Sequence, residues 1–364
     1  MFYFFTVGNS LTQSEHNGHS AVKSKKKDQG QHECEVLDKE SEEEEGAIAW
    51  QQCKKNRGHP NFIPASDFCL DHLPEKFRCP KALEYVKTIS ALTAMLRVGY
   101  TSWERPNYFA FSQHRGSDVQ HTGSALVSEI TEHDGPCQCS ECDHSPLQSR
   151  PQKWFEIHLE TALHVIYNTE EAQASRVDFF YDDERAIAEG RKKTLWATEV
   201  RKAHSQGDFC SFVCVTHNLD LAQRLQEYLR KSTKAKFYGL SGRWMASGWD
   251  NMCVMASHPH GQPKKITLGR LMNEHEITPA HRYYVYSLDT CPGSSGARGA
   301  VVEFSRYNNK SFFSLSLLPP HSSRTGNTGI NVSTSSAAGY MEPGMAALFE
   351  NMKFSPLELI SAVK

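Results

Sequence analysis

Pro292-Gly293-Ser294-Ser295-Gly296-Ala297 is a turn of small residues that leads into an apolar, strand-like run at 300–304. Two earlier segments give that turn a chemical meaning. Thr161-Ala162-Leu163-His164-Val165 closes a strand-type run and so presents a histidine at a strand end. Gly207-Asp208-Phe209-Cys210-Ser211-Phe212-Val213 opens another apolar strand with an acid. Acyl transfer needs a nucleophile, a base within hydrogen-bond reach, an acid that orients the base, and amide donors facing the developing oxyanion. The three segments supply those residue types in the order His, Asp, Ser.

That order, with TAxH, an Asp before an apolar strand and GxSG, resembles the trypsin/chymotrypsin-like serine peptidases, in their intracellular and HtrA-like branch. It is not the chain order of subtilisin or of the α/β-hydrolases. The resemblance covers residues 105–335. It implies two packed antiparallel β-barrels with the site between them, and a serine endopeptidase acting on proteins or peptides. It also implies Ser295 as nucleophile, His164 as general base, Asp208 as its orienting acid, and the backbone N–H groups of Gly293 and Ser295 as oxyanion hole. No cofactor is required for such catalysis. Ser294 stands where secreted members carry an acidic residue, which argues against activation by a freed N-terminus. Asp289, six residues before Ser295, sits at the offset of trypsin's specificity-pocket acid. Cleavage after Arg or Lys is one implication, and a solvated or turn-capping Asp is the alternative.

Around this core the texture is mostly β. Short apolar runs bounded by turn residues occur at 108–111, 125–130, 155–159, 177–181, 209–215, 251–256, 283–288, 300–304 and 312–318, which predicts an all-β domain. Two helices interrupt it. Leu83, Val86, Ile89, Leu92 and Leu96 recur at steps of three and four, predicting an N-terminal amphipathic helix over 81–98 within an extension at 48–104. Leu221, Leu225, Tyr228 and Leu229 predict a second helix over 219–231. Residues 1–47 hold a Lys25-Lys26-Lys27 run and an acidic run from Glu42 to Glu45, and read as a disordered tail. Residues 336–364 are expected to be a C-terminal tail or helix.

Charge and cysteine content narrow the setting. Lys and Arg number 40 against 42 Asp and Glu, so neither nucleic acid nor an anionic membrane is expected as partner. The oligomeric state is left open. The opening MFYFFTV lacks a basic leader and is too short for a secretion signal. Eleven cysteines without obvious pairing suit a reducing, intracellular compartment, cytoplasmic or nuclear. Three of them, Cys137, Cys139 and Cys142, stand with His144 in a Cys-rich insertion at 133–150. They form a candidate structural zinc site, to which Cys79 or His133 could add a ligand; free surface thiols are the alternative. His258-Pro259-His260-Gly261 reads as a turn fixed by Pro259 and Gly261 rather than as a metal site. Two rival functions remain: a catalytically silent, protease-like module that binds peptides, and a zinc-stapled interaction protein.

Overall fold

Alternation with period two is what turns the apolar runs into strands that can be buried on one face or on both. The computed structural model describes residues 32–137, 139, 142, 145–205, 207–235, 250–278, 281–307, 310–325 and 330–336; the expected tails at 1–31 and 337–364 lie outside the described residues, as does His144. The described chain is mostly β and forms two antiparallel sheets.

The first sheet contains β1 (Val36–Leu37), β3 (Thr93–Val98), β4 (Gln120–Asp134), β5 (Lys153–Thr161), β6 (Ser175–Phe179), β7 (Lys193–His204) and β8 (Phe209–Thr216). Its order is β1-β4-β3-β6-β7-β8-β5, and β5 also pairs with β4, so the pairings close on themselves. The second contains β2 (Ile63–Pro64), β9 (Asp250–Ser257), β10 (Lys265–Gly269), β11 (Leu271–Thr278), β12 (His281–Tyr286), β13 (Arg298–Tyr307), β14 (Lys310–Thr325) and β15 (Ile330–Ser336). Its order is β11-β12-β15-β14-β13-β9-β10-β2, and among the described residues no pairing joins its ends. The expectation of two barrels therefore holds in coarser form, as two antiparallel sheets.

β9 and β13 show why both sheets share one core. Met252, Val254 and Ala256 of β9, with Ala300 and Val302 of β13, join the large cluster that also takes in Ile157 and Leu159 of β5 and Phe212 and Cys214 of β8. Cys253, Met255 and Val301, one residue out of phase, face a second cluster with Tyr286, Leu288 and Leu318. Both faces of these strands are thus apolar and buried.

Among the described residues five α-helices accompany the sheets: α1 (Glu42–Gln51), α2 (Pro80–Leu92), α3 (Thr169–Gln173), α4 (Arg185–Ala188) and α5 (Leu219–Ala235). Among the described residues the expected N-terminal helical extension is not evident as a unit outside the β-domain. α2 lies between β2 and β3, packs on α5, and gives Tyr85, Val86 and Ile89 to the common core. It ends at Leu92, and 93–98 is strand β3 rather than the expected last turns of helix. Every β3 residue is buried, with Ala94, Leu96 and Val98 in the large cluster. Leu96 follows Leu92 at a helical step, and the unbroken apolar run Ala94-Met95-Leu96, buried on both faces, gives no inward–outward alternation to betray a strand. The run at 108–111 is turn, not strand.

Residues 33–47, expected in a disordered tail, include β1 and the first part of α1. Glu42 of the acidic run accepts from Arg97 Nε at 2.8 Å and from Arg176 Nη2 at 2.8 Å, and it also bonds Gln120. Arg97 in turn pairs with buried Asp178.

One ion pair is wholly enclosed. Arg105 and Glu171 are both 0% exposed and meet through two parallel bonds of 2.6 Å. Removing one partner of such a pair leaves an uncompensated buried charge, at about 3–5 kcal/mol. Glu171→Ala is expected to lower the unfolding free energy by about that amount in a urea titration. Glu44→Ala, on the exposed face of α1, is expected to change it by less than about 0.5 kcal/mol.

Candidate functional site

The two sheets meet at Ser124 of β4. Its N–H donates to the Ser295 carbonyl at 2.8 Å, its hydroxyl donates to the Gly293 carbonyl at 2.8 Å, and the hydroxyl accepts from the His258 N–H at 2.9 Å. The turn that joins β12 to β13 is thereby fastened to the first sheet. Gly296 approaches so closely that a Cβ there would lie 2.0 Å from Thr161 Oγ1, three residues before His164. Gly293 has φ +89°, and a Cβ on it would lie 2.4 Å from the His258 carbonyl oxygen. Only glycine fits either position.

His164 and Asp208 are brought into direct contact. His164 Nδ1 lies 2.6 Å from Asp208 Oδ2, and the His164 backbone N–H donates to Oδ1 at 2.9 Å. The Ser322 hydroxyl donates to Oδ2 at 2.6 Å. Asp208 itself sits at φ +43°, an uncommon conformation for a side-chain-bearing residue, and its carbonyl accepts from the Leu163 N–H. Burial alone would raise the Asp208 carboxyl; the charge and hydrogen bond of His164, with His32 and Ser322, outweigh it and hold it below the usual carboxylate range. Burial is also the main influence on His164. It holds the imidazole neutral down to about 4, against the pull of Asp208.

Two buried polar atoms here have no hydrogen-bond partner among the described residues: His164 Nε2 and Ser295 Oγ. The amides of Gly293 and Ser295 likewise have no acceptor, whereas those of Ser294 and Gly296 are taken by the Cys291 and His321 carbonyls. Ser294 differs from its neighbour. Its hydroxyl lies 3.1 Å from Ser257 Oγ and accepts from the Cys291 N–H at 3.2 Å. Asp289 is half-buried and accepts from Asn61 Nδ2 at 2.7 Å.

A segment absent from the sequence-level picture covers the site. The His32 ring stacks on that of His164 with centroids 4.2 Å apart, and its Nδ1 lies 2.9 Å from the Ser322 carbonyl. His164 is 1% exposed and Ser295 2% exposed in this arrangement.

The Cys-rich insertion gathers a different set from the one expected. Cys137, Cys139 and Cys142 converge on His217, whose Nε2 lies 3.1, 3.8 and 3.6 Å from their respective sulfurs. Neither residue considered for completing the set does so: Cys79 caps α2, and His133 stacks on Trp154 and pairs with Glu156. The available signal was positional. His217 sits between the apolar strand β8 and the start of α5, where a turn histidine points back along the strand end. All eleven cysteines are free thiols.

No family model matches the chain, and no curated protein matches it. Similar solved structures include the HtrA-type protease AlgW, as a serine-to-alanine variant with a decapeptide. It is 15% identical over 70% of this chain and 63% of that one, with a TM-score of 0.37. The same protease with a tripeptide is 13% identical over 75% and 64%, with a TM-score of 0.39. An inactive-form serine-to-alanine mutant of Rv3671c from M. tuberculosis H37Rv is 12% identical over 74% and 93%, with a TM-score of 0.34. The chain thus spans less than two thirds of the AlgW chains, and all three likenesses are distant.

Buried imidazoles set the response to acid. His121, like His164, is fully enclosed, with its Nε2 2.8 Å from the Val165 carbonyl; burial and then Arg105 bring it down to about 4. An unfolded imidazole takes up its proton near 6.5, so between those values the unfolded chain holds more protons and stability falls as pH falls. At about 1.4 kcal/mol per pH unit, His121 alone is expected to remove about 2 kcal/mol between about pH 6.5 and pH 5. Urea titrations at the two pH values check this, with the loss about 2 kcal/mol smaller in His121→Gln.

Proposed function

We propose that this chain is a serine endopeptidase that cleaves peptide bonds through an acyl-serine intermediate. Ser295 is the nucleophile. His164 takes its proton through Nε2 and returns it to the leaving amine, and Asp208 fixes the tautomer that leaves Nε2 free to accept. The N–H groups of Gly293 and Ser295 receive the oxyanion. The observation that carries this proposal is the polarised pair, His164 Nδ1 against Asp208 at 2.6 Å, in the same buried site as two unsatisfied atoms, His164 Nε2 and Ser295 Oγ. A buried polar atom without a partner costs about 1–3 kcal/mol; other buried side chains such as His121 Nδ1 and Thr267 Oγ1 also lack one, and what sets this pair apart is its company with the His164–Asp208 contact. The engaged Ser294 hydroxyl supports Ser295 over its neighbour as nucleophile. Proteins or peptides are the substrates, and no metal takes part in the acyl transfer.

The insertion adds a structural zinc. Three thiolates and the His217 imidazole match a tetrahedral Cys3His set, in which sulfur and nitrogen ligands lie about 3.6 Å apart. Zinc there ties the β4–β5 insertion to the end of β8. Cys139→Ser is expected to lower bound zinc by about one ion per chain in elemental analysis, with a lower thermal midpoint.

A fluorophosphonate probe tests the nucleophile without knowledge of the substrate. Wild type is expected to be labelled at Ser295, and His32→Gly, which removes the ring over His164, to be labelled several-fold faster. Ser295→Ala and His164→Ala are expected to stay unlabelled. Absence of labelling in wild type and His32→Gly alike, both with an intact thermal transition, would replace the enzyme by the silent peptide-binding module.

A further inference from the structure

Beside the Gly293–Ser295 turn, and apart from the insertion, Cys53, His59, His260 and Cys291 bring two sulfurs and two ring nitrogens within 4.8 Å of one another. They come from four separate places: the residues after α1, the turn before β2, the turn after β9, and the residue that opens the Pro292-Gly293-Ser294-Ser295 turn. Cys53 Sγ and Cys291 Sγ are 3.6 Å apart, and Cys291 Sγ is 3.5 Å from His59 Nε2. A tetrahedral ion with metal–sulfur bonds of about 2.3 Å and metal–nitrogen bonds of about 2.0–2.1 Å sets those edges at roughly 3.8 and 3.6 Å.

The surroundings are those of a metal site rather than of a core contact. His260 Nδ1 lies 3.0 Å from both carboxylate oxygens of Glu35, which fixes the tautomer and leaves Nε2 facing the thiols with no hydrogen-bond partner. A carboxylate behind a ligating imidazole is a recurrent outer shell. Asn56 serves the sulfurs in the same way: its side-chain amide donates to Cys291 Sγ at 3.1 Å and its backbone N–H to Cys53 Sγ at 3.5 Å. Trp50 stacks on His59 at 3.5 Å and closes the outer side. Both histidines have positive φ, +47° at His59 and +53° at His260, a conformation that costs energy unless the surroundings impose it.

The geometry points to a Cys2His2 zinc site made by Cys53, His59, His260 and Cys291, which clamps the N-terminal residues to the turn that carries Ser295. Zn2+ suits the mixed thiolate and imidazole set and a closed, four-ligand cage. On binding, the two thiols give up their protons to solvent and the two imidazoles enter neutral. The clamp acts at the start of the Ser295 turn, because Cys291 begins it and the His260 N–H donates to the Pro292 carbonyl at 2.6 Å.

The full chain, purified under reducing conditions, is expected to hold about two zinc ions per chain, and Cys139→Ser about one. Cobalt exchanged into Cys139→Ser is expected to show thiolate-to-cobalt charge transfer and tetrahedral ligand-field bands, which requires no change to the four ligands. Cys53→Ser in that background is expected to abolish both. In wild type, alkylation of Cys53 and Cys291 is expected only after a chelator is added. A folded Cys139→Ser chain without metal, alkylation of both thiols without chelator, or a Cys53–Cys291 disulfide in the peptide map would each overturn the site. None of these readouts depends on activity at Ser295, so failure of the zinc site and failure of the peptidase proposal are distinguishable.

Discussion

Arg105 and Glu171, buried together without solvent contact, hold the loop geometry on which the candidate site depends. Beyond the two bonds between them, Arg105 Nη1 donates to the carbonyls of Ala110 and His164, at 2.9 and 3.0 Å, and Nη2 approaches that of Val165 at 3.4 Å. Glu171 accepts in addition from the backbone N–H groups of Ser102 and Tyr167, at 2.9 Å each. A buried pair offsets its desolvation only when its remaining donors and acceptors are also used, and here they are spent on backbone. The consequence is positional: the main chain at His164 is held by a guanidinium, and the loops at 102–111 and 164–171 are fastened to each other through it.

From that anchor the site is assembled across two sheets by small residues. Ser124 reaches from β4 to three backbone groups of the second sheet's turns, and Gly293 and Gly296 allow the backbone to come close enough for those bonds to form. The polar atoms left over, His164 Nε2 and Ser295 Oγ, are buried there without a hydrogen-bond partner among the described residues. Polar atoms held in fixed positions are what the proposed acyl transfer would use.

Much of this was legible in the sequence because the informative signals were local. The turn at 292–297, the strand end at 161–165 and the acid at 208 each fit within a few residues, and their order gave the resemblance. What escaped was held by long-range contacts. His217 stands 75 residues beyond Cys142, and the cluster of Cys53, His59, His260 and Cys291 spans most of the described chain. The acidic run after Ser41 looked solvated, but Glu42 finds Arg97 and Arg176, neither of which is near it in sequence. β3 was hidden for another reason. Apart from Thr93 and Arg97, which are buried with it, the strand is apolar on both faces, and beside a helix with the same apolar spacing it has no boundary of its own.

The ring of His32 over His164 makes the chain its own competitor. The segment is tied down on one side by Glu33, ion-paired with Lys55, and on the other by Glu35 on His260. Being part of the same molecule, it is present at a high effective concentration whatever the protein's dilution. Any molecule that is to reach Ser295 must therefore wait for, or drive, the lifting of this segment, and its apparent affinity is scaled by the fraction of time the segment is away. How readily the site opens then depends on how firmly Glu33 and Glu35 are held.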